Sequence, residues 1–455
     1  MKGTKQQTQV WKQMKGDGHF LVRARAGTGK TTTLVEGASR LKGDSIFLAF
    51  NRHIADELGR RLPSHCQSRT LHSLGLKTLG RSSLDEDRDK GIFREIGLPR
   101  PLWPEYRKLF SLMKANLSSD ALGIRDQYDI ELLDDQKVAA HAKDYFSLCL
   151  KYVESRVINF DDMIWGPIAL GLSPSPCEIA MIDEAQDLSK AQRTLALRTA
   201  RRVIAIGDDR QSIMGFAGAD SRSFHELETV LGGKVLPLTT TFRCPRSHVE
   251  LAKRIVADFQ ARPGAEEGEV VINAKLSDLR PGDMAICRTN APLVAGCLSQ
   301  IREGKRACVR GRDIGQALSG MIRKLADPAL ESLSGLEMEE RYKIIQSDRS
   351  VESRLQALED RILCARVLLE QSKSREEAAE RAEQLFVGSS PSNSITFSSI
   401  HRAKGLEADN VLILRPELLP LKWGDPEQEM NLVYVALTRA KKRLAFAGPL
   451  PACLG

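Results

Sequence analysis

Residues 20–32 read FLVRARAGTGKTT, a short apolar strand that runs into a glycine-rich turn and then into a helical stretch. Within Ala26-Gly27-Thr28-Gly29-Lys30-Thr31-Thr32 the glycines let backbone N–H groups close around phosphate oxygens, and the start of the following helix adds its positive dipole. Lys30 is placed to reach the β- and γ-phosphates of a nucleotide, and the Thr31 hydroxyl to ligate Mg²⁺. The strict form of this loop opens on glycine, where this chain has Ala24. Strand, loop and helix are otherwise in order, which favours a nucleotide site over a fortuitous turn.

Further along, Ile179-Ala180-Met181-Ile182-Asp183-Glu184-Ala185-Gln186-Asp187 is a buried apolar strand ending in two adjacent acids. Such a pair puts one carboxylate, Asp183, on the metal and the next, Glu184, beside the water that attacks the γ-phosphate. An Asp-Glu pair alone also fits a solvated acidic turn; the phosphate loop in the same chain favours the catalytic reading. Other short runs rich in β-branched residues lie at 19–24, 45–50 and 202–206, then at 283–287, 306–309, 394–399, 410–414 and 443–446. Each is followed by a turn and a helical pattern, the form of βα units around a parallel sheet. Two α/β lobes are the simplest account. The stretches 81–156 and 313–386 lack strand character and read as helical insertions; for the second, a solvated linker helix is the alternative, and its Leu and Ile spacing favours a packed face. Residues 387–394, VGSSPSNS, read as a turn-rich return.

The whole chain has 455 residues, 42% hydrophobic and 28% charged, with 67 Lys and Arg against 59 Asp and Glu. These values suit two to four folded domains and exclude a wholly disordered chain. No window approaches the roughly 20 apolar residues that cross a bilayer, and residues 1–18 lack the apolar region of a signal peptide, so no membrane role and a cytoplasmic location, in a bacterial or phage-infected cell, are expected. The nine cysteines include no C-x-x-C pair, which suggests reduced thiols in place of a zinc site or disulfide framework. A formal charge of +8 is compatible with a polyanionic partner without requiring one.

Taken in order, the short motifs resemble those of the UvrD/Rep-like superfamily 1 helicases over nearly the whole chain. Thr4-x-x-Gln7 is similar to the adenine-reading motif; Ala49-Phe50-Asn51 and Arg69-Thr70-Leu71-His72-Ser73 to two early DNA-contact motifs; Asn159-Phe160-Asp161-Asp162 to another family element. The segment from Gly207 to Phe216, GDDRQSIMGF, resembles motif III, Thr241-Phe242-Arg243 motif IV, His401-Arg402-Ala403-Lys404-Gly405-Leu406-Glu407 motif V, and the run VYVALTRA ending at Ala440 motif VI. The resemblance implies an α/β fold of two RecA-like P-loop NTPase lobes with parallel sheets, each carrying a helical insertion. The expected divisions are 1–80 and 157–245 for the first lobe with 81–156 inserted, and 246–312 and 389–455 for the second with 313–388 inserted.

It also implies roles residue by residue. Gln7 would read the adenine edge, Phe242 would stack on the base and Glu407 would lie near the ribose. Gln211 would sense the γ-phosphate, while Arg243 and Arg439, expected on opposite sides of an interlobe cleft, would both neutralise phosphoryl charge only when the lobes close. Phe50, Asn51, His72, Phe216 and His401 would contact single-stranded DNA, aromatic faces tolerating any base. Motif III departs from the family in having Met214 and Phe216 where Tyr and Trp are common, and the second insertion is far smaller than the family's mobile subdomain. The expected activity is ATP- and Mg²⁺-dependent movement along single-stranded DNA, 3′ to 5′ by resemblance, with unwinding of tailed duplex DNA. Three alternatives stay open: a translocase with little unwinding, a nucleotide kinase, which would not need HRAKGLE and VYVALTRA, and a non-hydrolysing DNA-binding subunit, which would usually have lost Lys30, Glu184 or Arg439. Protein partners are not legible, and preference for DNA over RNA is inherited from the resemblance.

Overall fold

The computed structural model describes residues 3–213, 215, 223–346 and 351–455. Met214 and Phe216, the residues by which motif III departs from its relatives, lie outside them. The chain forms two compact units, Met1–Leu238 and Thr239–Gly455.

In the first unit, strands β1 (Phe20–Ala24), β2 (Ser45–Ala49), β3 (Cys66–Thr70), β6 (Cys177–Ile182), β7 (Ala200–Gly207) and β8 (Val235–Leu238) form a parallel sheet in the order β3-β2-β6-β7-β1-β8. Its inner strands are continuous apolar runs because both faces are covered. Phe20, Val22, Phe47, Met181, Ile204 and Ile206 meet Trp11, Met14 and Leu34 on one face. Leu21, Ile46, Leu48, Ala180, Ile182 and Val203 meet Leu71, Leu74, Ile164 and Leu195 on the other.

Register sets the level of the site. Arg23 pairs with Gly207 and Ile182 with Ala205, so the residues following β1, β6 and β7 leave the same edge of the sheet. This is the carboxyl edge at which open α/β sheets bind ligands.

The first insertion holds helices Arg88–Glu95, Trp103–Asn116, Ala121–Gln127 and Asp135–Glu154 around a core of its own, including Phe93, Phe110 and Tyr145. It is not free of strand: β4 (Ser83–Leu84) and β5 (Val157–Ile158) pair in parallel and clip its two ends together.

In the second unit, β9 (Thr240–Thr241) pairs with β10 (Gln260–Ala261). The main sheet comprises β11 (Glu269–Val271), β12 (Met284–Cys287), β13 (Ala307–Arg310), β14 (Phe386–Val387), β15 (Ile395–Ser399), β16 (Ala408–Ile413) and β17 (Ala440–Phe446), all parallel, in the order β11-β17-β16-β12-β15-β13-β14. Helices Arg312–Arg323, Ala329–Gln346, Val351–Glu370 and Arg375–Leu385 are inserted between β13 and β14. Their apolar residues, Leu318, Leu333, Leu358, Ile362, Ala378 and Leu385, belong to the same buried cluster as Ala285, Val309 and Phe397 of the sheet. The second insertion is therefore packed onto the lobe and is not a solvated linker. Asp360 ties it further, accepting the backbone N–H groups of Asn290 and Ala291 at 2.9 and 2.8 Å.

The strands without a sequence signal are β3, β8, β11 and β14, together with the short pairs. Those four are the two edges of each main sheet. Edge strands are covered on fewer sides and accept polar residues and proline, as in CQSRT and VLPL, so they lack the buried apolar run that marks an inner strand.

Candidate nucleotide and DNA site

Gly27 and Gly29 have φ of 67° and 78°, the left-handed region that glycine enters without a Cβ clash. Gly29 is the N-cap of helix Lys30–Ala38 and supplies no side-chain acceptor, which leaves the first N–H groups of that helix for a ligand. Ala26 and Thr28 are buried, and Thr28 Oγ1 donates to Arg25 O at 2.8 Å, closing the loop on itself. Thr32 is the third residue of the helix. Ala24, where the strict motif has glycine, is the last residue of β1, in register with Leu238. Strand geometry there needs no glycine.

Asp183 and Glu184 follow β6 beside this loop. Thr31 Oγ1 donates to Asp183 Oδ2 at 2.5 Å, and Lys30 Nζ lies 3.5 Å from Glu184 Oε1. Burial, reinforced by the neighbouring Glu184 charge, pushes the Asp183 carboxyl up. Gln211 is buried after β7 and donates from Nε2 to Asp208 Oδ2 at 2.7 Å.

At the amino terminus, Thr4 and Gln7 form a capping box. Gln7 Oε1 accepts Thr4 N–H at 3.0 Å and Nε2 donates to Thr33 Oγ1 at 3.2 Å, so the amide is fixed against the loop's own helix. The first unit thus gathers Gln7, the loop from Ala26 to Thr32, Asp183, Glu184 and Gln211.

A second group of expected residues gathers within the second unit, and it includes both Arg243 and Arg439: the expectation that they stand on opposite sides of a cleft is corrected, because the first unit ends at Leu238 and Arg243 reaches Thr438, the neighbour of Arg439. Arg243 Nε lies 2.6 Å from Glu407 Oε2, a close ion pair whose N–H is not aligned for a hydrogen bond, and Nη1 donates to Thr438 O at 3.4 Å. Arg439 donates to Val435 O at 2.8 Å, Leu406 O at 3.2 Å and Thr438 Oγ1 at 2.9 Å, which seats it on the end of helix Pro426–Leu437. Phe242, next to Arg243, is half-exposed.

Of the residues expected on DNA, Phe50 is half-exposed directly after β2. Asn51 caps helix Arg52–Gly59 through Ile54 N–H at 2.9 Å, so its amide oxygen is already engaged. His72 stacks on Phe160 with ring centroids 4.0 Å apart, and Phe160 keeps half of its surface exposed. Phe160 had no role assigned from sequence, since nothing local marks a partner 88 positions away. In the second unit His401 lines a cavity of about 510 Å³ with Arg288, Asn290, Gln356 and Arg361. Burial, with the Arg288 charge, pushes its imidazole down to about 4.

A glycine loop between strand and helix, a lysine facing an acidic pair, and a buried glutamine after the neighbouring strand are the arrangement of a P-loop fold of RecA-like form. Comparison with known proteins agrees. The model of the UvrD-like helicase C-terminal domain matches residues 127–447, and that of an AAA domain residues 6–217. The chain belongs to the UvrD-like helicase family. It is 26% identical to F-box DNA helicase protein 1 of Schizosaccharomyces pombe over 93% of this chain and 55% of that protein. It is 24% identical to DNA helicase IV of Escherichia coli over 94% of this chain and 66% of that protein. With the ATP-dependent DNA helicase UvrD2 of Mycobacterium tuberculosis it shares 26% identity over 70% of this chain and 55% of the relative. The chain thus spans about half to two thirds of the length of these relatives. Among the described residues no helix is long and apolar enough to cross a membrane.

Proposed function

We propose that this protein is an ATP-dependent DNA helicase that moves along single-stranded DNA, 3′ to 5′, and unwinds tailed duplex DNA. The observation that carries the reading is the seating of Thr31 on Asp183 and of Lys30 on Glu184 at the carboxyl edge of one parallel sheet. Lys30 and the loop N–H groups bind and orient the phosphates. Glu184 aligns the attacking water and takes its proton, and Gln211 reports the γ-phosphate to the segment that follows it. Arg243 and Arg439 are assigned to phosphoryl charge on the strength of the family resemblance.

The donor set fits Mg²⁺. A hydroxyl and a carboxylate are hard oxygen ligands. That suits an ion that takes the rest of its shell from phosphate and water. When bound, Mg²⁺ would neutralise charge on the phosphates, with Thr31 and Asp183 holding it.

On the DNA side, the exposed faces of Phe50 and Phe160 favour stacking on bases, each stack worth roughly 1–3 kcal/mol. ATPase activity with and without single-stranded DNA, then displacement from 3′-tailed and 5′-tailed duplexes, tests the whole reading. ATP turnover that ignores DNA would refute it. One observation favours a second reading, a translocase that remodels protein–DNA complexes with little unwinding: the described residues of the second insertion share the sheet's own core. Stimulated ATPase without strand displacement is its signature.

A further inference from the structure

Glu184 is held with φ 49° and ψ 44°, in the left-handed region. That conformation is unfavourable for a residue with a side chain and persists only where the surroundings impose it. One fully buried side chain spans the turn. Gln186 donates from Nε2 to Glu184 Oε2 at 2.7 Å and to Asp187 Oδ2 at 3.2 Å, while its Oε1 accepts the backbone N–H of Asp208 at 2.9 Å. Asp208 in turn accepts Gln211 Nε2 at 2.7 Å, and its other oxygen lies 3.3 Å from Arg25 Nη1, at the base of the phosphate loop.

The two ends of the Gln186 amide are therefore used in opposite senses, donating to a carboxylate and accepting from a backbone N–H. A primary amide of that length carries both functions without taking up a proton. Gly207 makes the space: a Cβ there would lie 2.5 Å from Gln186 Oε1 and 2.9 Å from Phe224.

We propose that Gln186 is a positioning residue for ATP hydrolysis, fixing the Glu184 carboxylate and joining it through Asp208 to Gln211, so that water alignment and γ-phosphate sensing change together. The inference rests on the reading of the first unit as a hydrolytic site. A Gln186 that only fills space and satisfies local N–H groups would affect melting and leave the folded enzyme's kinetics unchanged.

The test uses the full chain and three variants. Gln186→Ala removes both contacts. Gln186→Glu keeps the size and the acceptor for Asp208 but loses the donor to Glu184. Gly207→Ala leaves Gln186 in place and crowds its amide, so the measurement survives if a Gln186 variant fails to fold. Binding of a fluorescent non-hydrolysable ATP analogue is measured beside ATPase with and without single-stranded DNA. Analogue affinity should hold while kcat falls on the order of 10- to 100-fold, the loss expected when a catalytic group shifts by about 1 Å. Gln211→Ala should cost less in the Gln186→Ala background than in the wild type, because the two act as one unit. Unchanged kcat in the folded variants, or losses from Gln186→Ala and Gln211→Ala that simply multiply, would overturn the proposal. A wild-type chain without ATPase activity would instead refute the reading of the site itself.

Discussion

Lys30 and Glu184 face each other in the structure, and the roles proposed for them belong to different stages, so substitution should separate them. Lys30→Ala removes a ground-state phosphate contact and should lower both ATP affinity and turnover. Glu184→Gln keeps the shape and loses the base, so ATP should still bind while turnover falls about 10²–10⁴-fold. Equal loss of affinity in both variants, by nucleotide titration, would contradict these roles. Arg439 offers a sharper contrast, because its guanidinium is seated on carbonyls of its own lobe. If it neutralises phosphoryl charge as an arginine finger does, Arg439→Ala should reduce turnover by about 10³–10⁵-fold and leave single-stranded DNA affinity nearly intact. A variant that binds DNA poorly yet retains basal ATPase would move Arg439 to the DNA face.

Among the elements, the first insertion depends on a buried charge cluster. Asp162 accepts Lys114 Nζ at 2.9 Å and the backbone N–H of Asn159 at 2.9 Å, and it also accepts Arg88; Arg88 bonds Asp89 at 2.7 Å. Arg88 and Lys114 come from inserted helices, whereas Asp162 opens helix Asp162–Ala169 beyond the β4–β5 clip. The cluster therefore ties the insertion to the segment that carries Phe160. All three charged side chains are almost completely buried, so Asp162→Ala would remove the ion-pair partner of Lys114 and leave Arg88 with Asp89 alone. It should destabilise the first unit by about 3–5 kcal/mol, read by denaturant unfolding. Lys30 and Asp183 are not members of the cluster, and nucleotide binding per folded molecule should be retained.

Over the whole molecule, protonation of His401 makes stability depend on pH. Its folded pKa of about 4 lies below the ordinary imidazole value of 6.5, so between those values the unfolded chain binds a proton that the folded chain rejects. The contribution is fully present above about pH 6.5 and is lost as pH falls towards 4. The melting temperature of the wild type should drop more steeply across that window than that of His401→Gln, and parallel curves would remove the assignment. A neutral imidazole also releases no counter-ion. If His401 contacts DNA as the family resemblance implies, His401→Gln should weaken DNA binding without changing the slope of affinity against salt, unlike loss of an arginine on phosphate.

The sequence by itself determined the inner strands, because a strand covered on both faces must be a continuous apolar run. It also determined the phosphate loop and its acids, because those residues are adjacent and their chemistry depends on spacing. The same locality made Thr4 and Gln7 legible as a pair that the structure finds to be a helix cap. Edge strands β3, β8, β11 and β14 were hidden, since partial cover relaxes the demand for apolar residues. The His72–Phe160 stack, the Asp162 cluster and the link from Gln186 to Asp208 were also decided only in three dimensions. Each joins residues on different elements, and strand order and register, which no local pattern encodes, bring their ends to one edge of the sheet or to one face of a helix.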